Sequence, residues 1–105
     1  MAKTKTGKAA KSKTMPYDIA AQLRTPEEMA AYLDAWLDEA PEDSAGIARA
    51  LGDIARAKGM TLVAKEAGLS RESLYRALSE NGNPSFDTVL RVARALGVKL
   101  HAEVA

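Results

Sequence analysis

The sequence predicts an all-α fold: five helices followed by a short C-terminal strand. Three observations carry this. Apolar residues recur at i, i+3 and i+4 through most of residues 25–96. A capping residue or a glycine bounds each such run. Only residues 98–104 alternate apolar and polar side chains with period two. A chain of 105 residues has room for one domain with a modest core. Because 47% of the residues are hydrophobic but only 5% aromatic, that core is expected to be built from Ala, Leu and Val.

Residues 1–14, MAKTKTGKAAKSKT, have nothing larger than Lys to bury and are expected to be disordered, since they cannot offset the entropy of ordering. They read either as a basic arm attracted to phosphates or as a solubilising tail. Tyr17, Ile19 and Leu23 form an extended segment or one helical turn; so short a stretch does not decide between them.

Arg24–Ala40 reads as the first helix. Thr25 is placed to cap it, Pro26 suits its first position, and Glu28 completes a capping box. Met29, Leu33, Trp36, Leu37 and Ala40 make an apolar stripe with Tyr32 at its edge, and Pro41 ends the run. The stripe reads as core packing, or in part as a surface that docks a basic partner. A second helix opens at Asp43 or Ser44, buries Ile47, Ala48, Leu51, Ile54 and Ala55, and stops at Gly59. Arg56 and Lys58 lie near its C-terminus, where cations suit the helix dipole.

Residues 61–79, TLVAKEAGLSRESLYRALS, have the spacing of a helix-turn-helix. Val63, Ala64 and Ala67 face inward on the first helix, Gly68 stops it and Leu69 plugs the turn. Ser70 caps the second helix, whose inward face is Leu74, Ala77 and Leu78. Arg71, Glu72, Tyr75, Arg76 and Ser79 are left outside. Glu80 to Ser85 form a turn; Ser85 caps a fifth helix expected to bury Phe86, Val89, Leu90, Ala93 and Leu96, with Gly97 ending it. The strand 98–104 needs a partner, either Tyr17–Ile19 or its own copy across a dimer axis.

Net charge is +1, yet the chain is electrically segmented. Residues 1–14 carry five Lys and no acid; residues 15–43 hold one Arg against eight acids; residues 44–105 hold nine basic groups against six acidic. The organisation expected is therefore a Lys-rich tail (1–14), then an acidic segment and helix (15–43) that forms one compact domain with a helix-turn-helix region (44–105).

Zero cysteines exclude disulfides and thiolate metal sites and fit a reducing cytoplasm. No run is long and apolar enough for a bilayer span. Catalysis has little to stand on: the one His, His101, falls in the terminal strand without a neighbouring nucleophile, and no phosphate loop or metal-ligand spacing occurs. The expectation is no enzyme and no cofactor. DNA binding has a mechanism, because a recognition helix offers its first turns to base edges. Here those residues are Ser70, Arg71, Ser73, Tyr75 and Arg76, with Thr61, Lys65 and Arg49 as backbone clamps. Glu72 reads as a partner of the helix dipole.

These residues resemble the Xre-type, phage-repressor-like helix-turn-helix family, and within it the HigA-like addiction-module antitoxins. The resemblance covers about residues 16–102. It lies in Gly59-Met60-Thr61, in Ala64 and Gly68-Leu69-Ser70-Arg71-Glu72-Ser73-Leu74-Tyr75, in Asn83-Pro84-Ser85-Phe86-Asp87-Thr88, and in the upstream Tyr17-Asp18 and Tyr32-Leu33. Gly59-Met60-Thr61 depart from the Thr-Gln pair usual in the wider family. The resemblance implies a phage-repressor-like fold and a homodimer that represses its own promoter by binding double-stranded operator DNA. It also implies neutralisation of a basic RelE/ParE-type toxin. The alternative is a stand-alone Xre-type regulator with no toxin.

Overall fold

The computed structural model describes residues 19–79 and 81–105, with the backbone alone for Ala20. A short 3-10 helix, Ile19–Gln22, leads into five α-helices: α1 (Pro26–Glu39), α2 (Ser44–Lys58), α3 (Met60–Ala67), α4 (Arg71–Ala77) and α5 (Phe86–Leu96). The Lys-rich tail, Tyr17 and Asp18 lie outside the described residues.

Local chemistry sets most of the helix ends. Thr25 and Glu28 form a complete capping box: the Glu28 amide donates to Thr25 Oγ1 at 3.1 Å, and the Thr25 amide donates to Glu28 Oε1 at 3.1 Å. Asp43, Ser70 and Ser85 each accept the amide three residues on. α3 and α5 end in Schellman turns at Gly68 and Gly97, and the residues after them, Leu69 and Val98, donate back to the carbonyls of Ala64 and Ala93 at 2.9 Å. Both of those side chains pack against the core, so each turn is closed by an apolar contact as well as by hydrogen bonds. One residue, Gly59, joins α2 to α3; its φ of 117° is open to glycine and strained for other residues.

The core lies where α2, α3 and α5 meet. Ile54, Val63, Leu74, Leu78, Val92 and Leu96 are its largest fully buried side chains. α3 packs on α5, α4 and α2, while α1 and the 3-10 helix lie over α2. Leu23, Met29 and Leu33 bring that outer layer into the same cluster. α3 is thus held from behind by α2 and α5, and α4 packs on α3. A fully buried Leu side chain contributes on the order of 2 kcal/mol, so Leu74 and Leu78 fix the inner face of α4 firmly.

Two expectations are corrected. Residues 98–104 form no strand: Ile19, half of the expected intrachain partner, lies in a 3-10 helix, and no strand occurs among the described residues. A lone extended segment has nothing to bond with. Val98 and Leu100 pack on the core instead, and His101 is exposed. The second correction concerns α5. Phe86 and Leu90, expected inside, are 70% and 45% exposed, and the buried stripe runs through Val92, Ala93, Ala95 and Leu96. Leu37 of α1 likewise lies at the surface. The outer face of α4 is as expected, with Arg71, Glu72, Tyr75, Arg76 and Ser79 exposed, although α4 ends at Ala77 rather than Ser79.

Candidate nucleic-acid interface

The outer face of α4 and the adjoining side of α3 form an open groove lined by Arg56, Gly59, Met60, Thr61, Leu62, Lys65, Arg71 and Tyr75. Three of these residues are cations and none is acidic. Such a surface attracts a polyanion, and its exposed Leu62 and Tyr75 add contact area.

At the head of α4, Ser70 Oγ accepts the Ser73 amide at 3.0 Å and lies 2.8 Å from the Ser73 hydroxyl. The two hydroxyls form one polar pair on the first turn. Arg71 lies along the helix, its guanidinium 5.3 Å from the centre of the Tyr75 ring and its Nη2 donating to the Tyr75 hydroxyl at 3.2 Å. The stacking restricts the guanidinium while leaving most of its donors open. Arg76 lies on the next turn beside Glu72, with a 3.6 Å ion pair between side chains 69% and 87% exposed. So solvated a pair contributes little stability and is readily exchanged for another anion.

Of the expected site residues, the structure brings Thr61, Lys65, Arg71 and Tyr75 into one groove, and Ser70, Ser73 and Arg76 onto the same short helix. Arg49 is placed elsewhere: its guanidinium lies over the Trp36 ring of α1, 5.7 Å from the centroid, two turns before Arg56. Arg56, read from sequence only as a dipole partner, is the groove residue that the pattern missed. Its neighbours reveal its place. The Tyr32 hydroxyl donates to one oxygen of Asp53 at 2.7 Å, and Arg56 Nη2 donates to the other at 2.7 Å. Burial, together with the Asp53 carboxylate, pushes the Tyr32 phenol above its usual range, so it remains a donor.

Other cations are engaged in holding the fold. Lys58 donates to the Ala95 carbonyl at 2.5 Å and lies 3.5 Å from Glu66. Arg91 pairs with Asp87 at 3.0 Å and reaches the Ala67 carbonyl at 3.5 Å. These two tie α5 to α2 and α3, so they are not part of the groove's supply of charge. No group of three or more His, Cys, Asp or Glu is placed to hold a metal among the described residues. No helix among them is long and apolar enough to cross a membrane.

Comparison with known proteins places the chain among relatives. A family model described as "Probable addiction module antidote protein" matches residues 13–104. An uncharacterised protein of Haemophilus influenzae is 45% identical over 87 residues, which cover 83% of this chain and 88% of that one. No solved structure matches the chain.

Proposed function

The chain belongs to the family of probable addiction module antidote proteins, and from that premise we propose that it is the antitoxin of a type II module which also represses its own promoter. An antidote implies a toxin partner. In this reading the partner is a basic RelE/ParE-type toxin, and the complex acts in the cytoplasm without enzymatic chemistry or a cofactor.

The observation that carries the DNA-binding half is the acid-free groove beside α4, with Arg71 stacked on Tyr75 at its edge. Ser70, Arg71 and Ser73 occupy the first turn that a recognition helix presents to base edges, and Tyr75 and Arg76 follow one turn on. Lys65 and Thr61 flank them as phosphate contacts, the class that makes up more than half of protein–DNA hydrogen bonds. A single seven-residue helix reads only a half-site, so the chain acts as a homodimer on a palindrome. The exposed Phe86 and Leu90 of α5 supply apolar area for that second copy. The acidic outer face of α1, with Glu27, Asp34, Asp38 and Glu39, suits a cationic toxin.

Replacing Arg76 by Ala tests base reading. A loss of about 1–3 kcal/mol on operator DNA with little change on random DNA is expected. An equal loss on both assigns Arg76 to a phosphate. Co-purification with the product of a neighbouring short reading frame, and rescue of growth by co-expression, test the antidote half. Failure of both leaves the stand-alone regulator.

A further inference from the structure

α2 contributes one cation to the groove, and it is held in a way the other groove cations are not. The Lys65 side chain has no hydrogen bond or ion pair among the described residues, and Arg71 leans on its neighbour one turn away. Arg56 is fixed by a chain that begins on another helix. Tyr32 of α1 donates to one oxygen of Asp53, and the other oxygen takes a donor of Arg56, both at 2.7 Å. With each oxygen occupied, the carboxylate is held between the Tyr32 hydroxyl and Arg56, and it restrains the guanidinium it accepts from. That side chain remains 46% exposed and lines the groove with Thr61, Lys65 and Arg71, and of an Arg's five N–H donors one is given to Asp53.

We propose that Arg56 is a further DNA-contacting residue, a phosphate clamp on the α2 side of the groove, and that Tyr32 and Asp53 are the positioning residues that hold it. This rests on the DNA-binding reading above. A phosphate contact carries no sequence information; it fixes the register of the protein on the duplex. The chain also gives α1 a place in the same apparatus, since its Tyr32 sets the direction of a groove cation from the far side of α2. Tyr32→Phe removes that direction without altering any charge.

The experiment uses the full chain and two duplexes, one with the sequence immediately upstream of its reading frame and one scrambled. Anisotropy titrations across a range of salt give the slope of log K against log salt. Arg56→Ala is expected to weaken binding roughly three- to tenfold on both duplexes. It is also expected to reduce the slope by about 0.9, the loss of one phosphate contact. Arg56→Lys keeps the slope. Tyr32→Phe weakens binding by a smaller factor with the slope unchanged, and circular dichroism with a urea midpoint showing the variant fully folded under the assay conditions separates this from a loss of active protein. An Arg56→Ala protein with the native slope and affinity overturns the clamp, and native affinity in Tyr32→Phe overturns the positioning. If the unaltered chain binds neither duplex, the DNA-binding reading fails as a whole, a result distinct from either.

Discussion

Gly52→Ala should destabilise this protein, although helix propensity alone predicts the reverse. Gly52 is buried within α2, and a methyl group there would meet the Leu78 carbonyl oxygen, at the C-terminal end of α4, at 2.9 Å. Ordinary contact begins near 3.4 Å, so α2 and α4 must separate by about half an ångström. The obstacle is backbone, and Leu78 beside it is 2% exposed, so no flexible side-chain end can swing aside. Overpacking of this kind costs about 1–3 kcal/mol. The gain from replacing glycine inside a helix is about 1 kcal/mol. The packing cost exceeds the gain over most of that range, and the net expectation is a loss of about 1 kcal/mol. Urea unfolding followed by circular dichroism measures it, with a lower midpoint and an unchanged m-value as the expected result. Because the displaced element, α4, is the one proposed to read DNA, DNA affinity should fall as well. A stabilisation of about 1 kcal/mol would show that α4 is not held against α2 at this point, and the argument from close approach would fail.

Other consequences are as easily checked. The Arg24 side-chain hydrogen bond, with further help from the Arg24 and Thr25 amides, holds the Glu28 carboxyl below its ordinary 4.5. A depressed folded value means the capping box contributes above the unfolded pKa and is lost as pH falls through the folded one. An NMR titration should therefore place the Glu28 midpoint below 4.5, whereas a midpoint at or above 4.5 contradicts the box. For the proposed homodimer, Phe86→Ser, at a position 70% exposed, should leave the folded chain intact and lower the solution mass at micromolar concentration towards that of one chain. An unchanged dimer mass would place the second copy elsewhere. Leu74→Ala, at a fully buried position beneath α4, should cost about 2–5 kcal/mol in urea unfolding. A cost well below 1 kcal/mol would mean that α4 is not anchored by its inner face.

The helix ends were legible in the sequence because capping is local. Thr25 with Glu28, Ser70 with Ser73, and Ser85 with Thr88 each act over three residues, so reading the chain in order suffices. The same holds for the polar face of α4, where Leu74 and Leu78 define the opposite side. The α5 stripe was harder to place. In FDTVLRVARAL two adjacent apolar stripes share Val89 and Ala93, and periodicity cannot say which of Leu90 and Val92 meets α3. Packing decides it: Val92 is fully buried and Leu90 is not. Alternation in 98–104 was real but insufficient, because a strand is a property of two segments. Arg56 was legible only as a charge. The Asp53 carboxylate that it pairs with also accepts from Tyr32, 21 residues away in the chain, a contact that no local pattern encodes.

In the proposed function, the face of α4 and the groove beside it read DNA upstream of the chain's own reading frame. The measurement that tests this most directly is the affinity of the full chain for that promoter duplex against a scrambled duplex of equal length, at physiological salt. Binding to the promoter is expected to be on the order of a thousandfold tighter or more, with the difference largely lost when Arg71 and Arg76 are both replaced by Ala. Equal affinity for the two duplexes would contradict it.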